Sequence, residues 1–265
     1  MSIWNYDTIP EQINAELCKM QKCIFCNINL KQATVNRRQN EPNVLEGERL
    51  EIRHCPQCGW WSGAYQIKGR ADIIESSVTT KGAYGILRQL DLRDVTLPIN
   101  EVRDFLTVKY NSIKTIHPRL MEEVVGSVFK DLGYKTHVTN YSGDNGVDVI
   151  LYDSESRLIG VQVKRFKNSI KANQIRELTG ALLLGGFTKG VFVTTSDFQK
   201  GAVRTAEASQ RKGIPIELMD YQRFFDALKL TQLTVNRENI SWNSYNVDKF
   251  KIIDHYTHME TYYLK

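Results

Sequence analysis

Four cysteines in two tight pairs, Cys23-x2-Cys26 and Cys55-x2-Cys58, constrain this chain more than any other feature. A Cys-x2-Cys turn lets two thiolates converge on one ion from a single knuckle, and two knuckles complete a closed tetrahedral shell. The second knuckle reads CPQCG: Pro56 stiffens the turn, and Gly59 can take the positive φ needed to leave it. The approach LEIRH and the exit WWSGAYQI read as short strands, so a zinc ribbon is the expected topology. A closed shell leaves no position for water, which makes the expected Zn2+ structural. The other readings are a redox pair, which wants a thioredoxin-like context missing here, or separate buried thiols. Cys18 and His54 are spare candidates: Cys18 as a substitute ligand or a free thiol, His54 as a ligand or an ordinary strand residue. One of Trp60 and Trp61 is expected to pack over the cluster, the alternative being an exposed stacking surface.

All five cysteines lie in the first quarter of the 265 residues, an odd and clustered count that argues against a disulfide framework. With 42% hydrophobic and 25% charged residues the chain is of ordinary globular composition, which excludes a wholly disordered or fibrous protein. No run of 18 apolar residues exists, so no membrane helix is expected. MSIWNYDTIPEQ lacks a basic start followed by an apolar run, so the expected compartment is the cytoplasm. The formal charge is +5, of which +4 falls in residues 101–230. That excess is compatible with a polyanion partner.

Residues 62–97 show turn formers and no clean period, and read as a linker with one or two short elements. From Pro98 a helical pattern begins with Ile99, Val102, Phe105 and Leu106. A stronger helix starts at Pro118, carries Leu120, Val124, Val128 and Leu132 on one stripe, and ends at Gly133. The period then changes to two over Tyr134–Thr139, Val147–Tyr152 and Leu158–Lys164, a meander of three strands. A helix (Ile170–Leu184), a strand (Gly190–Thr195), a helix with a Ser196/Gln199 capping box (Ser196–Arg211), a strand (Pro215–Met219) and a closing helix (Tyr221–Leu228) follow. This order predicts an α/β sandwich on a mixed sheet. The expected division is a zinc module over 1–75, a linker with a helical segment over 76–115, an α/β domain over 116–230 and a C-terminal extension over 231–265.

On this scaffold Asp148, Gln162 and Lys164 stand out. Alternation puts Gln162 and Lys164 on one face of a strand whose other residues are apolar. An unpaired buried ammonium is costly, so Lys164 needs a partner or a wet cleft. Asp148, on the neighbouring antiparallel strand, is a candidate partner, and a purely structural Asp–Lys pair is one reading.

The other reading is chemical. Asp148-x13-Gln162-x-Lys164, together with MEEVVGSVFKDLGY, GDNGVD, GVQVKRFK, QIRELTGALLLGG and VFVTTSDFQKGA in that order, resembles the Mrr-like restriction endonucleases of the PD-(D/E)xK nuclease superfamily. The resemblance spans roughly residues 116–228. It implies a PD-(D/E)xK-type mixed-sheet sandwich, here with a small N-terminal zinc ribbon, and a Mg2+-dependent DNA endonuclease acting in restriction or anti-phage defence. Asp148 matches the family's metal-binding aspartate, Gln162 the second acid, Lys164 the lysine and Glu122 the acid of the first helix, with Glu123 the adjacent alternative. Val147 stands where the superfamily has proline, and Met121 where an aromatic often precedes the helix glutamate. Oxygens of Asp148, Gln162 and Glu122 suit Mg2+. Lys164 then orients water, stabilises transition-state charge or acts as a base.

Arg165 and Lys167 follow as phosphate contacts or as solvated charges at a strand end. Thr194 and Thr195 end a strand near the expected cleft, where a hydroxyl meets phosphate or caps a helix. Asp144 reads as a turn former within reach of the site, and Arg176 as a surface charge. Residues 231–265, rich in tyrosine, are expected to dock on the core or on a partner subunit. Double-stranded DNA, a homo-oligomer and a defence-system partner protein are the expected partners, with no membrane. Two other functions stay open: a zinc-containing nucleic-acid-binding or assembly subunit that does not cut, and a repair or recombination nuclease.

Overall fold

The computed structural model describes residues 3–9, 19–37, 45–72, 75–140 and 146–234. The chain divides into two compact units, one containing residues up to Gln89 and one formed by Leu90–Val235. Cys18, Asp144 and the tyrosine-rich segment beyond residue 234 lie outside the described residues.

The first unit is an antiparallel five-stranded sheet. Its strands are β1 (Trp4–Ile9), β2 (Lys31–Arg37), β3 (Leu45–His54), β4 (Trp61–Asp72) and β5 (Glu75–Leu87), in the order β1-β5-β4-β3-β2. The cysteine knuckles occupy one end of it: the first leads into β2, and the second joins β3 to β4 where His54 pairs with Trp61. Two expectations are corrected here. The strands around the second knuckle are long, and β5 occupies ground read as linker. The reason is glycine. Gly82 and Gly85 are buried, and a Cβ at Gly85 would lie 3.3 Å from Trp61 Nε1. A strand that needs a bare backbone beneath an indole carries the residue that otherwise marks turns.

The second unit has the predicted mixed sheet. β6 (Lys135–Val138), β7 (Val149–Tyr152) and β8 (Leu158–Lys164) form an antiparallel meander, and β9 (Lys189–Thr194) and β10 (Ile216–Met219) continue in parallel, in the order β10-β9-β8-β7-β6. The helices are α1 (Ile99–Val108), a 3-10 turn (Tyr110–Thr115), α2 (Pro118–Asp131), α3 (Ala172–Leu184), α4 (Lys200–Arg211) and α5 (Tyr221–Thr234). α3 and α4 bury Ile175, Leu178, Leu182, Ala202 and Ala206 with Phe192 and Ile216 on one face of the sheet. Gly160 and Gly190 let Leu182 sit against the strands: a Cβ at either would come within 2.6 Å of its methyls. α2 covers β6 and β7 on the other face, where Gly126 brings the helix against Val138 and Val149.

Two helix starts differ from expectation. Ile170 pairs in a bridge with Phe198, so α3 begins two residues later than read, at Ala172. Ser196 donates its N–H to Thr194 Oγ1 and accepts from Tyr221 N, so it belongs to a loop and not to a capping box; Gln199 is the N-cap of α4.

Candidate active site and cysteine cluster

The β7–β8 register pairs Val149 with Val161. Asp148 immediately precedes this pair, at the end of the ladder, and is held against β8 by its own backbone and carboxylate. Asp148 N donates to Val161 O at 2.8 Å, and Asp148 Oδ2 accepts from Val163 N at 2.6 Å. The carboxylate is therefore fixed at its own strand end by the backbone of β8. Asp148 is 9% exposed and Gln162 4%. Gly146, at φ +84°, turns the chain into this position, and a Cβ there would lie 3.6 Å from Gln162 Nε2. Only glycine holds that conformation without strain.

Gln162 Oε1 is buried without a hydrogen-bond partner among the described residues. An orphaned carbonyl costs about 1–3 kcal/mol. A hard cation is the partner that an amide oxygen beside a carboxylate would satisfy, so these residues fit Mg2+. Lys164 is half-buried two residues on, at the open end of β8.

Glu122 reaches this end of the sheet by another route. Its Oε2 lies 3.3 Å from Arg119 Nη1, which also donates to Thr139 O at 2.5 Å, while Arg119 Nε meets Glu123 Oε1 at 3.1 Å. Thr139 N and Oγ1 each donate to Asp148 O at 3.0 Å. Glu122 is thus tied through Arg119 and Thr139 to the backbone of Asp148. The i,i+3 and i,i+4 spacing of Arg119 to the two glutamates was legible in sequence; the Thr139 link, across the sheet end, was not.

Arg165 and Lys167 are exposed. Thr194 is not: it is 1% exposed, and its hydroxyl donates to Lys164 O at 3.0 Å. Thr195 does the same to Phe166 O at 3.1 Å. The two threonines clamp the chain that carries Lys164 and Arg165, and neither caps α4. Gln174 Oε1 accepts from Lys171 N at 2.8 Å, and Arg176 is exposed.

In the first unit the Sγ atoms of Cys23, Cys26, Cys55 and Cys58 all lie within 4.8 Å of one another. Cys23 and Cys58 sulfurs are 3.6 Å apart, too far for a disulfide and close to the roughly 3.8 Å edge of a tetrahedron with metal–sulfur bonds of about 2.3 Å. The knuckles are built alike. Asn27 N donates to Cys23 O and Gly59 N to Cys55 O, and each donor, just past its second cysteine, has positive φ, 55° and 81°. Phe25 N and Cys58 N point at Cys23 and Cys55 sulfurs, each at 3.4 Å. The thiols of Cys26, Cys55 and Cys58 pull Cys23 well below the ordinary thiol range, and the same crowding pushes Cys58 up. Four sulfurs so close ionise together only around a cation. The shell fits a tetrahedral metal such as Zn2+.

Trp60 is fully buried at this end, as one of the two tryptophans was expected to be. Trp4, which sequence reading passed over, donates its indole N–H to Cys58 O at 2.9 Å and packs on Phe25 at 5.3 Å between ring centroids. His54 is buried beside the knuckle, and its imidazole is outside the four-sulfur cluster.

Among solved structures, the chain is similar to an ATP-dependent Type ISP restriction-modification enzyme, LlaBIII, bound to DNA: 19% identity, a TM-score of 0.31, and coverage of 56% of this chain and 9% of that one. The chain therefore spans about a tenth of that enzyme's length. No curated protein matches it. Residues 113–228 match the family Mrr_cat, restriction endonuclease. With the mixed sheet and the Asp148–Gln162–Lys164 strand ends already in place, this segment is a restriction endonuclease domain of the Mrr_cat family.

Proposed function

We propose that the chain is a Mg2+-dependent DNA endonuclease that hydrolyses phosphodiester bonds in restriction or anti-phage defence. The observation that carries this reading is the buried, orphaned Gln162 oxygen on the strand whose Val163 N–H holds the Asp148 carboxylate, with Lys164 two residues along the same strand. Asp148 and Gln162 would hold the ion, with Glu122 completing the set. A bound Mg2+ supplies charge neutralisation for the phosphate and lowers the cost of generating the nucleophile. Gln162 brings no charge, so the site binds metal more weakly than a two-carboxylate site. Lys164 holds its ammonium beside the scissile phosphate and stabilises charge that grows in the transition state. Thr194 and Thr195 keep that strand end rigid. The cysteine unit holds Zn2+ and serves as a docking or specificity element. The working compartment is the cytoplasm, and the working form is a homo-oligomer with a defence-system partner protein.

The test is cleavage of plasmid DNA by the full chain with Mg2+ or with EDTA. Lys164→Ala is expected to cut about 100- to 1,000-fold more slowly than wild type, and Asp148→Ala to stay at background. Equal cutting by all three proteins would place the activity elsewhere.

Arg165 and Lys167 are read as phosphate contacts, because both are exposed and follow Lys164 directly. Neutralising both should weaken binding to any DNA sequence and reduce the slope of log K against log salt by about 2. An unchanged slope would put the DNA path on another face.

A further inference from the structure

A pocket of about 400 Å³ opens in the nuclease unit between the end of α1, the 3-10 turn and the start of α5. We infer that it binds one unpaired nucleotide of the DNA substrate, outside the scissile position. This rests on the proposed function. Three observations carry it.

The first is the wall. Tyr110 stacks on Phe225 at 4.2 Å and packs on Tyr221 at 4.5 Å, and its hydroxyl donates to Tyr221 O at 2.9 Å. The pocket thus has a preformed aromatic side, which binds a ring at little entropic cost.

The second is the pair of side-chain amides. Tyr221 hydroxyl donates to Asn111 Oδ1 at 2.8 Å, which fixes the amide and leaves the Asn111 NH2 to donate. Gln222 Nε2 donates to Asp226 Oδ1 at 3.2 Å, which leaves the Gln222 carbonyl to accept. A donor and an acceptor lining one pocket suit the hydrogen-bonding edge of a base, and only an unpaired base has that edge available. Lys109 lines the same pocket, and Lys114 Nζ is held 5.0 Å over the Tyr221 ring. These cations suit the nucleotide's phosphate.

The third is position. Lys164, Thr194 and Met219 end the parallel strands β8, β9 and β10 at one edge of the sheet, and Tyr221 N donates to Ser196 O there at 3.1 Å. Tyr221 therefore stands two strands from Lys164, about 10 Å along that edge at strand spacing. A strand of DNA crossing Lys164 can reach it.

The experiment measures binding of the full chain, in EDTA, to a fluorescein-labelled blunt duplex and to the same duplex with a short unpaired thymidine extension. Wild type is expected to bind the extended duplex about tenfold more tightly. The double variant Asn111→Ala/Gln222→Ala should lose that preference and keep its affinity for the blunt duplex. Both amides are exposed, so its melting temperature should match wild type. Asp148→Ala should keep the preference, because the pocket does not share the metal site. A 4-thiothymidine in the extension should crosslink to the peptide carrying Tyr221 and Phe225. Equal wild-type affinity for the two duplexes, or a preference that survives in the double variant, overturns the pocket and leaves the nuclease reading intact. Wild type that binds neither duplex overturns both.

Discussion

Cys55→Ser is expected to strip the metal from the cysteine unit and unfold it while the nuclease unit stays folded. Cys55 is fully buried, its sulfur accepts from Cys58 N, and its backbone closes the second knuckle through Gly59 and Trp60. Serine offers a hard oxygen in place of a thiolate, on a longer reach to the ion, so three sulfurs remain. A metal present at a thousandfold above its Kd contributes about 4 kcal/mol to folding. That is most of the stability of a small module, where totals of about 5–15 kcal/mol are usual. The buried side chains described around the cluster, Ile3, Trp4, Ile52, Trp60 and Ala64, are few. The readouts separate cleanly. Of the four tryptophans, Trp4, Trp60 and Trp61 lie in the cysteine unit and Trp242 lies outside the described residues; residues 90–235 contain none, and every described helix is in the nuclease unit. Tryptophan fluorescence should therefore shift to that of an exposed indole, while the helical circular dichroism melts as in wild type. Metal analysis should fall from about one zinc per chain to near zero. Wild-type protein with no zinc and four freely titrating thiols would sink the metal assignment itself.

The same two units differ in how far their sequences declare them. The nuclease unit was legible because its periods are clean. β8 was read with its observed bounds, since every residue from Ile159 to Val163 is buried and its polar members occur only at the candidate site. α2 announced itself by Pro118 at its start and Gly133, at φ +97°, past its end. The errors there are tertiary. Ile170 and Phe198 pair across the chain, and no local rule reveals that a residue suited to a helix start is held in a bridge. In the cysteine unit the knuckles were legible because metal ligation fixes spacing, whereas β5 was not. Its glycines answer to Trp61 on the neighbouring strand, a long-range packing demand that looks like turn chemistry when read along the chain. The site followed the same rule. Asp148, Gln162 and Lys164 sit on adjacent strands at the spacing a hairpin allows. Arg119 and Thr139 act through backbone carbonyls, which leave no trace in residue type.

Gln162 offers the sharpest separation of ligand from scaffold, because structure and function pull the substitution in opposite directions. Its Oε1 is buried and unpartnered among the described residues, so Gln162→Leu removes an unsatisfied acceptor at similar volume. Metal-free Gln162→Leu should melt at or slightly above the wild-type temperature, by an amount worth up to about 1 kcal/mol. Its cleavage should nonetheless fall to background, since the ion is left with one oxygen fewer. Gln162→Glu should behave the other way. A second carboxylate next to the Val163 N–H that holds Asp148 repels the aspartate when the site holds no cation, so this variant should be less stable than wild type in EDTA. Mg2+ should then raise its melting temperature more than it raises that of wild type, and bind at least as tightly, with cutting retained in part. The measurements are thermal melts in EDTA and across a Mg2+ titration, alongside cleavage rates on plasmid DNA. A merely structural glutamine predicts a different pattern: Leu active and Glu destabilised with or without Mg2+. A fully active Gln162→Leu with ordinary Mg2+ dependence would remove Gln162 from the metal site, and with it the reason for placing the chemistry at the ends of β7 and β8.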